Sequence, residues 1–309
     1  MKISVMMITY NHERFIAQAI ESVLAQRVDF DYEIVIGEDC STDGTRAVIM
    51  GFHRCFPDRI VPIMRDQNIG AMRNFESTLL ACRGQYLALL DGDDYWTSGE
   101  KLDRQVKFLD THPDFSMCCH RVQFLDETGV AKSDVVPSRP AGRYSIEDLL
   151  RENFVMTSSV VLRRHLVPAL PPWFRTIKLA DWPMFALAAR HGTIELMDEV
   201  MAVYRVHAGS SWSTLPATTL LHETSRMLET LDRQLGFQYT RTIRRTIAQW
   251  YFDIARQTRH DGNWTETGKH LVNFIRKGGC QLIGWKAAKR ASLLYHRSSR
   301  WTRNAISRP

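Results

Sequence analysis

Three aspartates in four residues, Asp91-Gly92-Asp93-Asp94, end the apolar run 86–90 and lead into Tyr95 and Trp96. Carboxylates packed this closely repel one another unless a cation sits among them. Hard oxygen ligands of this kind suit Mg²⁺ or Mn²⁺, which also take up the phosphates of a substrate. A solvated acidic turn uses the same residue types, so DGDD alone supports both readings. Asp39 ends a second apolar run (Glu33-Ile34-Val35-Ile36-Gly37-Glu38) and opens Cys40-Ser41-Thr42-Asp43-Gly44-Thr45. It could accept from a base imide N–H while Tyr10 stacks on the ring; as plain structure, it is a helix-start charge beside a loop aromatic. Arg65-Asp66-Gln67-Asn68-Ile69-Gly70, with Arg73 and Asn74 behind it, offers a cation and a glycine turn to a diphosphate. It reads equally as a surface loop. No GxxxxGK[ST] and no GxGxxG is present, which disfavours ATP-type and dinucleotide sites.

Each of these groups needs a strand end to hold it. Hydrophobic period and length predict strands over 3–9, 33–37, 60–64, 86–90 and 115–125. Helices over 13–26, 42–54, 71–82 and 102–112 alternate with them, the second capped by Ser41. Alternation at this spacing implies an α/β fold, a parallel sheet covered by helices on both faces. Ligands of such sheets bind beyond the carboxyl ends of the strands. That is where Tyr10 and Asn11, Asp39, Asn68 and Asp91–Asp94 fall. Residues 126–150, with Pro137 and Pro140, read as a connection. A strand over 154–162, a helix over 182–191 and an extended run over 194–206 follow. From 217 the pattern is helical to the end, broken at Gly236, Gly262 and Gly278-Gly279. The expected organisation is a domain over 1–213 and a helical region over 214–309.

The bulk composition sets limits on function. With 44% hydrophobic and 24% charged residues the chain is globular rather than disordered or fibrous. Its net charge of +6 is concentrated at one end: 267–309 holds ten Lys or Arg and no acid. The first 266 residues carry 30 Lys or Arg against 34 Asp or Glu. A nucleic-acid binder would carry its basic stripe on the folded core, so no nucleic-acid partner is expected. No apolar run approaches the ~18 residues that span a bilayer, and the N-terminal run is too short for a secretory signal. Six cysteines without a CxxC read as reduced, mostly buried thiols. The expected location is cytoplasmic.

Taken in order, several segments resemble family 2 inverting glycosyltransferases, which have the nucleotide-diphospho-sugar (GT-A) fold. They are Ile8-Thr9-Tyr10-Asn11, the run 33–45, Asn68-x-Gly70, and Gly84-x-Tyr86 followed by Asp91-Gly92-Asp93-Asp94. The resemblance covers residues 1–210 and implies a Rossmann-like, mostly parallel sheet with a C-terminal helical extension. By position it implies that Thr9, Tyr10, Asn11, Asp39, Asn68, Gly70, Arg73, Asp91 and Arg205 bind the nucleotide sugar. Asp91 and Asp93 correspond to the DxD pair and, with His207, to the ligands of Mn²⁺ or Mg²⁺. Lys178-Leu179-Ala180-Asp181-Trp182 resembles the family's acidic-Asp-Trp segment, with Asp181 as catalytic base and Ala180 where an acid is usual. Glu38 likewise stands in for an aspartate. Tyr204-Arg205-Val206-His207 resembles the closing YRxH segment, and Gly209-Ser210-Ser211 after it is a candidate lid. Asp94, Trp96, Ser158 and Trp182 are candidate sugar or acceptor contacts.

The implied activity is metal-dependent transfer from a nucleotide sugar, UDP-linked, to a hydroxyl of a saccharide or lipid-linked acceptor, with inversion. Cell-envelope polysaccharide synthesis follows by family analogy. A sugar-nucleotide nucleotidyltransferase is the competing enzyme class, but its Gly-rich first loop is missing from Thr9-Tyr10-Asn11-His12-Glu13. A non-catalytic membrane-surface protein is the third reading. A helix from Ile283 would place Ile283, Ala287, Ala291, Leu294, Trp301 and Ala305 on one side and most cations away from it. Such a tail could hold the protein on the anionic inner face of the cytoplasmic membrane.

Overall fold

The computed structural model describes residues 1–126, 131–209 and 215–278. Two compact units emerge, one of 1–149 with 153–206 and the other of 150–152 with 207–309.

The first unit is built on β1 (Ile3–Thr9), β2 (Tyr32–Glu38), β3 (Ile60–Met64) and β4 (Tyr86–Leu89). β2 and β4 are buried at every residue, as expected of strands that are apolar on both faces. They pair in parallel in the order β3-β2-β1-β4. Helices α1 (Ile16–Leu24), α2 (Thr45–Cys55) and α3 (Ala71–Ala81) make the crossovers. β5 (Tyr95–Trp96), α4 (Lys101–Thr111), β6 (Phe115–Asp126), β7 (Ala131–Val136), β8 (Gly142–Tyr144) and α5 (Ile146–Arg151) follow. β9 (Val161–Arg163), α6 (Asp181–Ala189) and β10 (Thr193–Val206) complete the unit. The sheet continues as β4-β9-β6-β10-β5, with β7 on β6 and β8 on β10. β6 and β10 are parallel, whereas β5, β7, β8 and β9 pair antiparallel.

The parallel register carries the argument for the site. Thr9 sits opposite Glu38, and the ladder runs past the strand ends: Asp39 N–H donates to the Thr9 carbonyl at 3.1 Å and Gly92 N–H to that of Ile8 at 3.1 Å. The segments after β1, β2 and β4 therefore lie side by side.

Three local expectations change. The connection at 126–150 contains β7 and β8. The strand expected over 154–162 is a 3-10 turn at Thr157–Ser159 followed by β9. Ser159 donates its hydroxyl to the Met156 carbonyl at 2.7 Å, a local bond that competes with a ladder. Ser41 does not cap α2: its hydroxyl accepts the Asn11 N–H at 2.9 Å, and the Thr45 N–H goes to Asp43 at 3.0 Å.

The second unit contains α7 (Ala217–Gln234), α8 (Thr240–His260) and α9 (Trp264–Arg276). Its core includes Leu228 and Leu231 of α7 and Ile243, Ile247 and Ala248 of α8. Gly236 and Gly262 stop helices with φ of 65° and 74°, the left-handed geometry that favours glycine. The described cysteines, Cys40, Cys55, Cys82, Cys118 and Cys119, are free thiols. The helix read from Ile283 and the Ser210-Ser211 part of the candidate lid lie outside the described residues.

Candidate active site

The DGDD segment is a tight turn against the end of β1. Asp94 N–H donates to the Asp91 carbonyl at 3.1 Å. A Cβ on Gly92 would lie 2.7 Å from the Thr9 hydroxyl oxygen and 2.8 Å from Thr9 Cβ. Glycine is thus required there, and its smallness seats the three carboxylates beside Thr9. Asp94 is buried and accepts the Arg205 N–H through Oδ1 at 2.9 Å. The Arg205 guanidinium reaches the Asp93 carbonyl and Gln18, and lies 4.5 Å from the Tyr95 ring and 5.1 Å from that of Phe15. The end of β10 thereby clamps the aspartate turn.

Asp181 opens α6. Its Oδ2 accepts the Thr157 hydroxyl at 3.0 Å, and its Oδ1 accepts the Trp182 N–H at 2.7 Å. Burial raises the Asp181 carboxyl above the usual range, with these two bonds pulling the other way. Burial likewise raises Asp91 well above that range, and repulsion from Asp93 and Asp181 adds to it. Burial and repulsion from Asp93 and Asp91 do the same to Asp94. The buried Tyr204 phenol is pushed up by burial and by the same four aspartates. Four carboxylates from β4's end and α6's start share one electrostatic neighbourhood.

Such a set fits a divalent cation. The Asp94 Oδ2, Thr9 hydroxyl and Ser158 hydroxyl are buried without a hydrogen-bond partner among the described residues, and Asp93 lies 3.8 Å from the His12 ring. His12 was absent from the residues singled out in the sequence. The signal for it was its place two residues beyond Tyr10, at the same strand end.

Asp39 organises the neighbouring strand end. Both of its oxygens accept backbone N–H groups, from Ile69 at 2.8 Å and Gly70 at 2.9 Å. Asn68 also accepts the Gly70 N–H, at 3.0 Å, and Gly70 has φ 85°. The Asn-x-Gly turn and Asp39 are therefore one hydrogen-bonded unit. Asn11, at φ 56°, accepts the Thr42 N–H at 2.8 Å. Tyr10 is 43% exposed, and Arg73 is exposed. Glu38 is buried: burial raises its carboxyl, but bonds from Ser41 and pairing with Arg46 outweigh that and hold it low. It braces the start of α2.

The candidate sugar contacts divide. Trp96 is buried and donates its indole N–H to the Ser158 carbonyl at 2.8 Å. Gln105 donates to the Ser159 carbonyl at 2.8 Å. Together they fix the turn that carries Thr157. Trp182 is buried and donates its indole N–H to the Leu149 carbonyl at 3.0 Å, which makes it a strut of the core.

Residues 4–167 match the sequence profile of glycosyl transferase family 2. The protein Rv1520 of Mycobacterium tuberculosis is 40% identical over 209 residues, which are 68% of this chain and 60% of that protein. This chain thus spans about 60% of the length of the mycobacterial relatives it matches. UDP-Glc:alpha-D-GlcNAc-diphosphoundecaprenol beta-1,3-glucosyltransferase WfaP of Escherichia coli is 29% identical over 67% of this chain and 78% of its own. In fold, the chain is similar to S. aureus TarS 1-349 solved in complex with UDP-GlcNAc. The TM-score is 0.65 at 18% identity, covering 99% of this chain and 89% of that one.

Proposed function

Because the chain belongs to glycosyl transferase family 2, we propose that it moves a sugar from a UDP-sugar to an acceptor hydroxyl with inversion. The observation that carries the reading is the gathering of Asp91, Asp93 and Asp94 in one tight turn after β4, clamped by Arg205, with Asp181 at the start of α6 held by Thr157. Asp39, Tyr10, Thr9 and Asn11 hold the nucleoside, with the 68–70 turn and Arg73 beside the diphosphate. Asp91, Asp93 and His207 hold the cation, with His12 adjoining. Bound there, Mn²⁺ or Mg²⁺ supplies positive charge to the departing diphosphate oxygens.

Asp181 takes the proton of the attacking hydroxyl. Its raised pKa moves it toward neutrality, where a base is best matched to its task. The Thr157 hydroxyl occupies one lone pair of Oδ2 and fixes the carboxylate plane. With one base and no protein nucleophile, the reaction is a single displacement at the anomeric carbon. The glucosyl donor and lipid-linked acceptor in the WfaP name support UDP and a saccharide or lipid-linked acceptor in cell-envelope polysaccharide synthesis. The basic run 279–309 supports peripheral attachment to an anionic membrane surface. The deciding experiment follows UDP release from a panel of UDP-sugars with Mn²⁺ and assigns the product's anomeric configuration by NMR. A product of retained configuration, or no UDP release from any donor, overturns the reading.

A further inference from the structure

Helix α9 has a buried arc that holds it in place and, beside it, an apolar arc left exposed. Thr267 and His270 are 4% and 3% exposed, and Phe274 packs on Phe252 with ring centres 5.2 Å apart. At about 100° per residue these three share a narrow arc. The neighbouring arc holds Trp264, Leu271, Val272 and Ile275, which are 68%, 38%, 47% and 61% exposed. Gly268 lies between them and adds no side chain. Beyond this arc come Lys269 and Arg276, and the Arg259 guanidinium sits 5.9 Å from the Trp264 ring. Four large apolar side chains open to water on one thirteen-residue helix are more than scattered surface exposure.

Charge identifies the occupant. From 240 to 278 there are eight Lys or Arg against three Asp or Glu, and 279–309 adds seven more with no acid. The one acid of α9, Glu266, is paired with Lys269. A second copy of this chain, or its own residues 279–309, would bring like charge onto this face. A bilayer bearing anionic headgroups brings the opposite charge and an apolar interior. No described helix is long and apolar enough to cross a membrane, so the geometry is that of a helix lying in the interface. We infer that α9 is an interfacial helix whose Trp264, Leu271, Val272 and Ile275 enter the surface of an anionic bilayer, with Lys269 and Arg276 at headgroup level. This deepens the peripheral attachment proposed above and stands apart from the transfer chemistry.

The test uses the full chain and vesicles of phosphatidylcholine with and without phosphatidylglycerol. Wild type should float with the anionic vesicles, less so as salt is raised. The double variant Trp264→Ser/Ile275→Ser keeps every charge and should partition about tenfold more weakly or worse. Equal melting temperatures check its fold; should it melt early, protection of the α9 amides of wild type on adding anionic vesicles gives the same answer. Vesicle binding equal in variant and wild type overturns the inference, as does equal binding to neutral vesicles. A wild-type dimer that the variant dissolves overturns it too, assigning the stripe to a second copy. UDP release to a soluble acceptor is measured in parallel and should not change. If neither protein releases UDP while vesicle binding still differs, the transferase reading fails and the interfacial helix stands.

Discussion

The Thr157 hydroxyl and the Asp181 carboxylate are 3.0 Å apart, joining a 3-10 turn to the first residue of α6. The bond explains why a serine- and threonine-rich segment interrupts what reads in the sequence as one strand. It also gives the base candidate a partner that holds it by one oxygen only. Asp181→Asn should leave UDP binding near wild type while turnover falls by roughly 10²–10⁴. Thr157→Val should lower turnover by a smaller factor, with Thr157→Ser recovering most of it. Steady-state kinetics beside UDP calorimetry check this; a collapse of UDP affinity in Asp181→Asn would reassign the residue to binding or folding.

Asp93 is expected to act through a cation. Asp93→Ala should abolish transfer and remove the Mn²⁺ dependence of UDP binding. It should also lower the Asp91 and Asp94 carboxyls part of the way toward ordinary values, since the repulsion from Asp93 is gone while burial still raises both and Asp181 still repels Asp91. Unchanged turnover at saturating Mn²⁺ sinks the assignment.

Asp39 makes a different demand. Its two oxygens take the Ile69 and Gly70 N–H groups, so an amide in its place presents one donor to a donor. Bonds to a charged acceptor are worth about 1.5–3 kcal/mol each. Asp39→Asn should therefore weaken UDP binding by about tenfold or more and loosen the 68–70 turn. Calorimetric titration with UDP, and exchange protection of the Ile69 and Gly70 amides, report the two effects separately.

Much of this site can be read from strand ends alone. β1, β2 and β4 announce themselves because the middle residues of strands buried on both faces are near-continuously apolar, and Asp39 and Asp91 follow from where those runs stop. β9 and β8 are three residues each, too short for a period, and their antiparallel partners are distant in sequence. The clamp on Arg205 is equally hidden, because Gln18, Phe15 and Tyr95 meet it only through the fold. Trp96 and Trp182 look like sugar platforms in the sequence. Their indole N–H groups are instead spent on backbone carbonyls.

Lys101 is the group whose environment the sequence concealed most, since it reads as an ordinary cation at a helix start. It is fully buried, donates to Gln105 at 2.7 Å and lies over the Trp96 ring at 4.1 Å. Burial pushes its pKa down to about 7. The unfolded chain holds that proton up to about pH 10.4, so between the two values the unfolded state binds more protons and stability rises with pH. The buried thiols of Cys82 and Cys118, both pushed up to about 12, act with the opposite sign once pH passes their unfolded value near 8.5. Between about pH 7 and 8.5 those thiols are silent and the slope contributed by Lys101 approaches about 1.4 kcal/mol per pH unit, while the raised Asp91 and Asp94 carboxyls pull the other way equally in wild type and variant. Lys101→Met removes the titration while keeping an unbranched chain in the space. Urea denaturation across that window should show a midpoint whose slope against pH is distinctly more positive in wild type than in Lys101→Met. Parallel curves for the two proteins would mean that Lys101 stays protonated in the fold.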